Sequence, residues 1–145
     1  SVADPHGIEG EPGTTQGLGL LDVTTTMGGD NHLSEVTAHH AGLNLPFSGY
    51  EIHIGTSNGA DRSRPFAHIL ERPEGAVSPD GRVCGSYLHG MFSDDIFRRA
   101  WLGKLGVAHG EQSYQGSVEK SLDALAAHLE AHLDVPGLLA TALDF

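Results

Sequence analysis

The chain has 145 residues, 39% of them hydrophobic, which suits one ordinary domain and leaves too little for a second complete one. Nineteen acids against 8 bases give a formal charge of −11, and the first lysine or arginine is Arg62, so nucleic acid, which needs clustered cations, is excluded as an expected partner. No apolar run approaches the roughly 20 residues of a membrane-spanning helix, and the single cysteine, Cys84, rules out an internal disulfide and suits a reducing compartment; a soluble, cytoplasmic protein with no membrane partner is expected.

The opening, Ser1-Val2-Ala3-Asp4-Pro5-His6-Gly7, lacks an initiator methionine and reads as a cut through a larger protein. From Ser1 to Gln16, glycine, proline, threonine and acids favour turns and irregular backbone. Leu18 to Val23 reads as a short buried strand and Leu33 to His40 as a weaker one, with Gly28-Gly29-Asp30-Asn31 turning between them. Pro46 to Gly55 alternates: Phe47, Gly49, Glu51 and His53 share one parity, Ser48, Tyr50, Ile52 and Ile54 the other. That predicts a strand whose apolar face carries Tyr50, Ile52 and Ile54, with Glu51 and His53 together on the opposite face.

Thr56 to Arg64 is polar and predicts an exposed loop, and Ala67 to Leu70 predicts another short strand. Ala76-Val77, Ser78-Pro79-Asp80-Gly81 and Arg82 to Leu88 make a hairpin pattern with Asp-Gly at its turn, delivering His89 at the end of the second strand. Ser93-Asp94-Asp95 then caps a helix in which Ile96, Phe97, Ala100, Trp101 and Leu105 recur at helical spacing, stopped by Gly106. A second helix begins near Ser117, buries Leu122, Leu125, Leu129 and Leu133 along one stripe, and ends before Pro136. Strands first and two helices at the C-terminal end make the class α/β or α+β, with part of the sheet expected outside the chain.

His89 lies between a strand end and a helix start, rigidly held yet open to a cleft, as a general acid or base must be. Gly90 lets the backbone turn sharply beside it. Tyr50, Glu51 and His53 are pocket candidates: Glu51 and His53 share a strand face and either position a substrate, support His89, or belong to a solvated face. Cys84 sits inside the predicted strand with parity opposite to His89, which favours a small buried hydrophobe over a nucleophile. His128 and His132 lie one helical turn apart, but Glu130 is one position too late for the zinc-protease pattern, and His39 and His40 point to opposite faces; no metal site is expected. Gly17-Leu18-Gly19 continues to Asp22 rather than Gly and is no dinucleotide fingerprint.

Gly7-Ile8-Glu9-Gly10, Gly17-Leu18-Gly19-Leu20-Leu21-Asp22, Ser48-Gly49-Tyr50-Glu51-Ile52-His53-Ile54-Gly55, and Asp80-Gly81-Arg82-Val83 through Tyr87-Leu88-His89-Gly90 follow one another as four ordered motifs. In order and spacing they resemble the cobyric acid synthase family over Asp4 to Leu102. The resemblance implies that residues 1–145 are the C-terminal portion of a glutamine amidotransferase domain, a partial flavodoxin-like class I α/β fold. Its nucleophile elbow and the N-terminal synthetase domain would lie outside the chain. It further implies glutamine as nitrogen donor and His89 as the proton-transfer partner of a cysteine. A corrinoid substrate, with ATP and Mg, would be held at the synthetase domain, and this chain itself would hold no cofactor. Two features depart from a full triad glutaminase: the Gly-Cys-Gly elbow is not in the chain, and the position two after His89 is Met91 rather than glutamate. The cobyric acid branch resembles a Cys-His dyad, so no third member is assigned. The competing expectations are a sister-branch amidotransferase (cobyrinic acid a,c-diamide synthase or a peptidoglycan-amidating glutaminase) and a non-catalytic binding module on the same fold.

Overall fold

The computed structural model describes residues 1–29, 32–108 and 112–142, and these fall into two compact units, Ser1–Ala108 and His109–Phe145. In the first unit, the entry segment forms β1 (Val2–Asp4) and β2 (Gly13–Thr15), then β3 (Thr24–Thr26). The two longest strands follow, β4 (His32–His40) and β5 (Leu45–His53), then β6 (Thr56–Asn58), a short 3-10 turn, β7 (Ala67–Ile69) and β8 (Arg72–Glu74). Two-residue strands β9 (Ala76–Val77), β10 (Cys84–Gly85) and β11 (Leu88–His89) lead into helix α1 (Asp95–Lys104). The second unit holds α2 (Tyr114–His132) and α3 (Val135–Ala142).

Three sheets form among the described residues, in the orders β2-β1-β3-β6, β10-β9 and β11-β5-β4-β7-β8. Among the described residues one strand pair is parallel, β1 with β3; the others run antiparallel. This is a mixed α/β chain with its helices at the C-terminal end. None of the helices is long and apolar enough to cross a membrane, among the described residues.

The core lies on one face of the five-stranded sheet. Ala38, Phe47, Phe66, Ala67 and Leu88 bury there, and α1 closes it with Phe97, which is fully buried with its ring 4.4 Å from that of Phe47. Trp101 and His40 fill the remaining space, the His40 ring edge-on to Phe66 at 4.7 Å. α1 starts where expected, its cap being Asp94, whose carboxylate accepts the Ile96 and Phe97 N–H groups at 3.0 Å each. Gly106 ends it in the left-handed conformation.

Several expectations need correction. Leu18–Val23 is not a strand: Leu18 and Leu20 are exposed, and the backbone is held by Asp61 of the 3-10 turn instead of a ladder. The Asp22 N–H donates to the Asp61 carboxylate at 2.8 Å, and Asp22 carbonyl accepts the Asp61 N–H. Thr56–Arg64 is not a loop but β6 and a 3-10 turn, with Asp61 buried against Arg64. The hairpin at Asp80-Gly81 forms, but its second strand breaks after Gly85, and β11 pairs with β5. On β5 the buried side is the one carrying Phe47 and Glu51, while Tyr50 is 41% exposed, so the inward face is the reverse of the one its apolar residues suggest. The leucines of α2 line up but stay 40–53% exposed, and a third helix, α3, follows with Pro136 in its first turn. Of the turn expected at 28–31, Asp30 and Asn31 lie outside the described residues.

Candidate functional site

β11 is an edge strand two residues long, and its register on β5 decides what surrounds His89. Leu88 stands opposite Glu51, and His89 opposite Tyr50. Directly paired residues in an antiparallel ladder point to the same face, so Leu88 and Glu51 face the core while His89 and Tyr50 face outward. Their rings stack at 5.2 Å and 14°. His89 is exposed, and the row continues across the sheet to Glu35, which pairs with Tyr50 from β4. Leu33, Glu35, Thr37, Ser48, Tyr50 and Gly90 are among the walls of a broad open groove on this face.

Two glycines make the pairing possible. A Cβ on Gly49 would stand 2.5 Å from the His89 carbonyl oxygen, so only glycine lets β11 approach β5 there. Gly90 has φ 73, the left-handed region that turns the chain directly after His89.

Glu51 and His53 come together as expected, on the face opposite His89. Glu51 is 2% exposed and accepts two bonds from the Arg72 guanidinium, at 3.1 and 2.7 Å, while His53 Nε2 lies 3.3 Å from Oε1. This bidentate pairing compensates the burial of the carboxylate, and a merely solvated face does not describe it. The His53 ring packs on Tyr87 at 4.9 Å, and the Tyr87 hydroxyl sits 2.7 Å from Ser57 Oγ and 3.1 Å from Thr25 Oγ1. The four predicted residues therefore form two pairs on opposite faces, Tyr50 with His89 outside and Glu51 with His53 inside. A substrate touching His89 is not reached by Glu51 from the same side of the sheet.

Sequence reasoning missed Arg72, Glu74 and Tyr87. Glu74 is 2% exposed, takes the Tyr87 N–H at 2.7 Å and the Ser86 hydroxyl at 2.8 Å, and burial pushes its carboxyl above the usual range against the pull of those bonds. One signal for Arg72 and Glu74 exists: they alternate across Pro73, placing both side chains on one strand face. Beside Tyr87, a cavity of about 200 Å3 is bounded by Leu21, Val23, Thr25, Ser57 and Arg62.

Cys84 is exposed on β10 rather than buried as expected. Local desolvation nevertheless holds its thiol above the ordinary value, with Lys104 opposing, which disfavours the thiolate a nucleophile needs. His128 and His132 stack on one another at 4.2 Å on α2, and His39 is exposed where His40 is buried. Among the described residues no three His, Cys, Asp or Glu side chains converge as metal ligands.

A family model for the CobB/CobQ-like glutamine amidotransferase domain matches residues 1–97, the stretch that contains every residue of this site. The chain is 61% identical over 142 residues to a cobyric acid synthase of Cereibacter sphaeroides, 58% over 142 to one of Bradyrhizobium diazoefficiens, and 53% over 141 to one of Paracoccus denitrificans. These matches cover 97–98% of this chain and 29–30% of each relative, so the chain spans about 30% of the length of the curated relatives it matches.

Proposed function

The chain belongs to the CobB/CobQ-like glutamine amidotransferase family, and from that premise we propose that residues 1–145 form the histidine-bearing, C-terminal portion of the glutaminase domain of a cobyric acid synthase. The observation that carries this reading is the placement of His89, exposed on an edge strand, stacked on Tyr50 and followed by a left-handed glycine at an open groove.

In this reading an upstream cysteine thiolate attacks the side-chain amide carbon of glutamine. His89 gives a proton to the departing nitrogen, so that ammonia leaves and a thioester remains. His89 then takes a proton from water as the thioester is hydrolysed to glutamate, returning the thiolate. Tyr50 holds the imidazole plane by stacking, which limits the ring to the orientations a proton transfer can use. Glu51 and His53 act from behind the sheet, supporting the strand rather than touching glutamine. Cys84 takes no part, and the chain alone is expected to be inactive.

The ammonia would serve ATP-dependent amidation of adenosylcobyrinic acid a,c-diamide at side chains b, d, e and g, the corrinoid being held at a synthetase domain. In this reading Mg·ATP is held at the synthetase domain as well. No step of this chain's chemistry is therefore routed through ATP.

The test is ammonia release by the full-length enzyme and its His89→Ala variant. Removing a positioned general acid/base should lower kcat by about 10²–10⁴ with the fold retained. Unchanged turnover would favour a non-catalytic binding module, a role for which the groove beside Tyr50 also has room.

A further inference from the structure

Glu74 is a buried carboxylate that the chemistry above leaves without a task. It stands on β8, one edge of the five-stranded sheet, yet its oxygens reach the segment entering β11, the other edge. Oε1 accepts the Tyr87 N–H at 2.7 Å and Oε2 accepts the Ser86 hydroxyl at 2.8 Å. Ser86 Oγ in turn accepts the Leu88 N–H at 3.0 Å, one residue before His89. The sheet thus curls so that its two edges are bridged by one side chain.

β11 needs such a bridge. It offers only two ladder positions, Leu88 on Glu51 and His89 on Tyr50, and a strand that short holds its register weakly. Burying a carboxylate among neutral donors is costly. Burial and the nearby Glu51 charge both raise its carboxyl, while the Tyr87 and Ser86 bonds and Arg62 lower it. A group kept there at that cost fixes three consecutive residues, Ser86, Tyr87 and Leu88, by direct or relayed bonds. We infer that Glu74 is a positioning residue for His89, acting through Ser86 and the backbone of 87–88 to set the height and direction of the imidazole stacked on Tyr50. The inference rests on His89 being the proton-transfer group.

The test uses the full-length enzyme, with kcat and KM for glutamine hydrolysis measured per folded molecule, the folded fraction being taken from circular dichroism. Glu74→Ala should lower kcat by about 30-fold with KM within about twofold, since a displacement near 1 Å at a reacting group costs up to about 10²-fold. Glu74→Gln, whose amide still accepts from Tyr87 and reaches Ser86, should recover most of that loss. Ser86→Ala, which removes only the relay to Leu88, should cost about threefold to tenfold on the same scale. If Glu74→Ala turns over within twofold of wild type while His89→Ala is inactive, Glu74 is purely structural and the inference fails with the His89 reading intact. If His89→Ala remains active, that reading fails and takes this one with it. Should Glu74→Ala not fold, the other two variants decide: graded kcat losses at constant KM support the inference, and wild-type kcat in both overturns it.

Discussion

Replacing Gly49 with alanine should unseat β11 more than any other single methyl group on the sheet face. The added Cβ would lie 2.5 Å from the His89 carbonyl oxygen and 3.7 Å from the Met91 nitrogen. Carbon to oxygen contact becomes comfortable only about 0.7–1 Å further out, and what blocks the methyl is backbone, which cannot swing aside like a side chain. The strands must part there, loosening the Leu88–Glu51 and His89–Tyr50 pairs. Overpacking of this kind costs about 1–3 kcal/mol, and a weakened backbone bond adds about 1 kcal/mol. Alanine's smaller conformational entropy loss in a strand offsets about 0.5–1 kcal/mol. A net loss near 2 kcal/mol follows, and in a unit of this size it should lower Tm by about 10 °C. The assay is thermal unfolding followed by Trp101 fluorescence, since Trp101 is the single tryptophan and packs into the core of this unit. Gly103→Ala is the control: it lies in α1 with nothing within 4 Å of a new Cβ, and it should stabilise by up to about 1 kcal/mol. Gly49→Ala melting at or above wild type, with Gly103→Ala behaving as expected, would refute the close-approach argument.

Arg72→Ala should destabilise by about 2–3 kcal/mol in urea unfolding, below the 3–5 kcal/mol of a wholly buried pair, because the Arg72 side chain is 53% exposed and water can partly replace it; Glu51→Gln should cost less than Arg72→Ala, leaving no buried charge behind. His40 is held below its ordinary value of 6.5 by burial, then by Lys104 and His39, and its Nδ1 accepts the Leu43 N–H at 2.8 Å. The unfolded chain therefore takes the proton first, so stability should fall as pH drops below 6.5, and a His40→Gln variant should show a flatter urea midpoint over that range. Glu74 has the opposite sign: its carboxyl is raised above 4.5, so the folded state binds the extra proton and stability should fall as pH rises from 4.5 to the raised value, then level off. The wild-type minus Glu74→Gln difference in urea midpoint should trace that fall, and a flat difference would show that the two states titrate alike.

Local patterns were legible where local physics governs. The spans of β4, β5 and β7, the Asp80-Gly81 hairpin and the capped start of α1 all follow from residues within a few positions of one another. So does the position of His89, because Gly90 and the following cap fix where strand ends and helix begins. The inward face of β5 was not legible. Alternation pointed Tyr50 and Ile52 inward, but Glu51 is buried by a partner 21 residues away, Arg72, and by His53. No window around residue 50 contains that partner. Leu18–Val23 failed for the same reason: the groups that bind its backbone lie 39 residues further on, at Asp61. The leucines of α2 show the reverse limit, since periodicity shows which face is apolar and says nothing of what covers it.

The segment Ser48 to Gly55 acts on both sides of the sheet at once. Strand alternation puts Tyr50 under the His89 ring and Glu51 against Arg72, with Gly49 as the point of closest approach between β5 and β11. A slip of one residue in register would exchange the faces, carrying Tyr50 and Ile52 into the core and Glu51 and His53 onto the groove. Burial of Tyr50 and Ile52 would favour that exchange, but it would carry Phe47, 2% exposed, out of the core. Two further features oppose it: the slip would leave Arg72 without its bidentate carboxylate, and it would place a side chain where only Gly49 fits beneath the His89 carbonyl. We expect the buried ion pair to act on register more than on net stability, the role best attested for such pairs. Register is what seats His89 opposite Tyr50. A double substitution that makes both Glu51 and Arg72 apolar should therefore retain or raise the urea midpoint, yet loosen the His89–Tyr50 stacking, seen as altered ring-proton shifts for both residues. Unchanged shifts would mean that Gly49 and the buried Phe47 set the register without the ion pair.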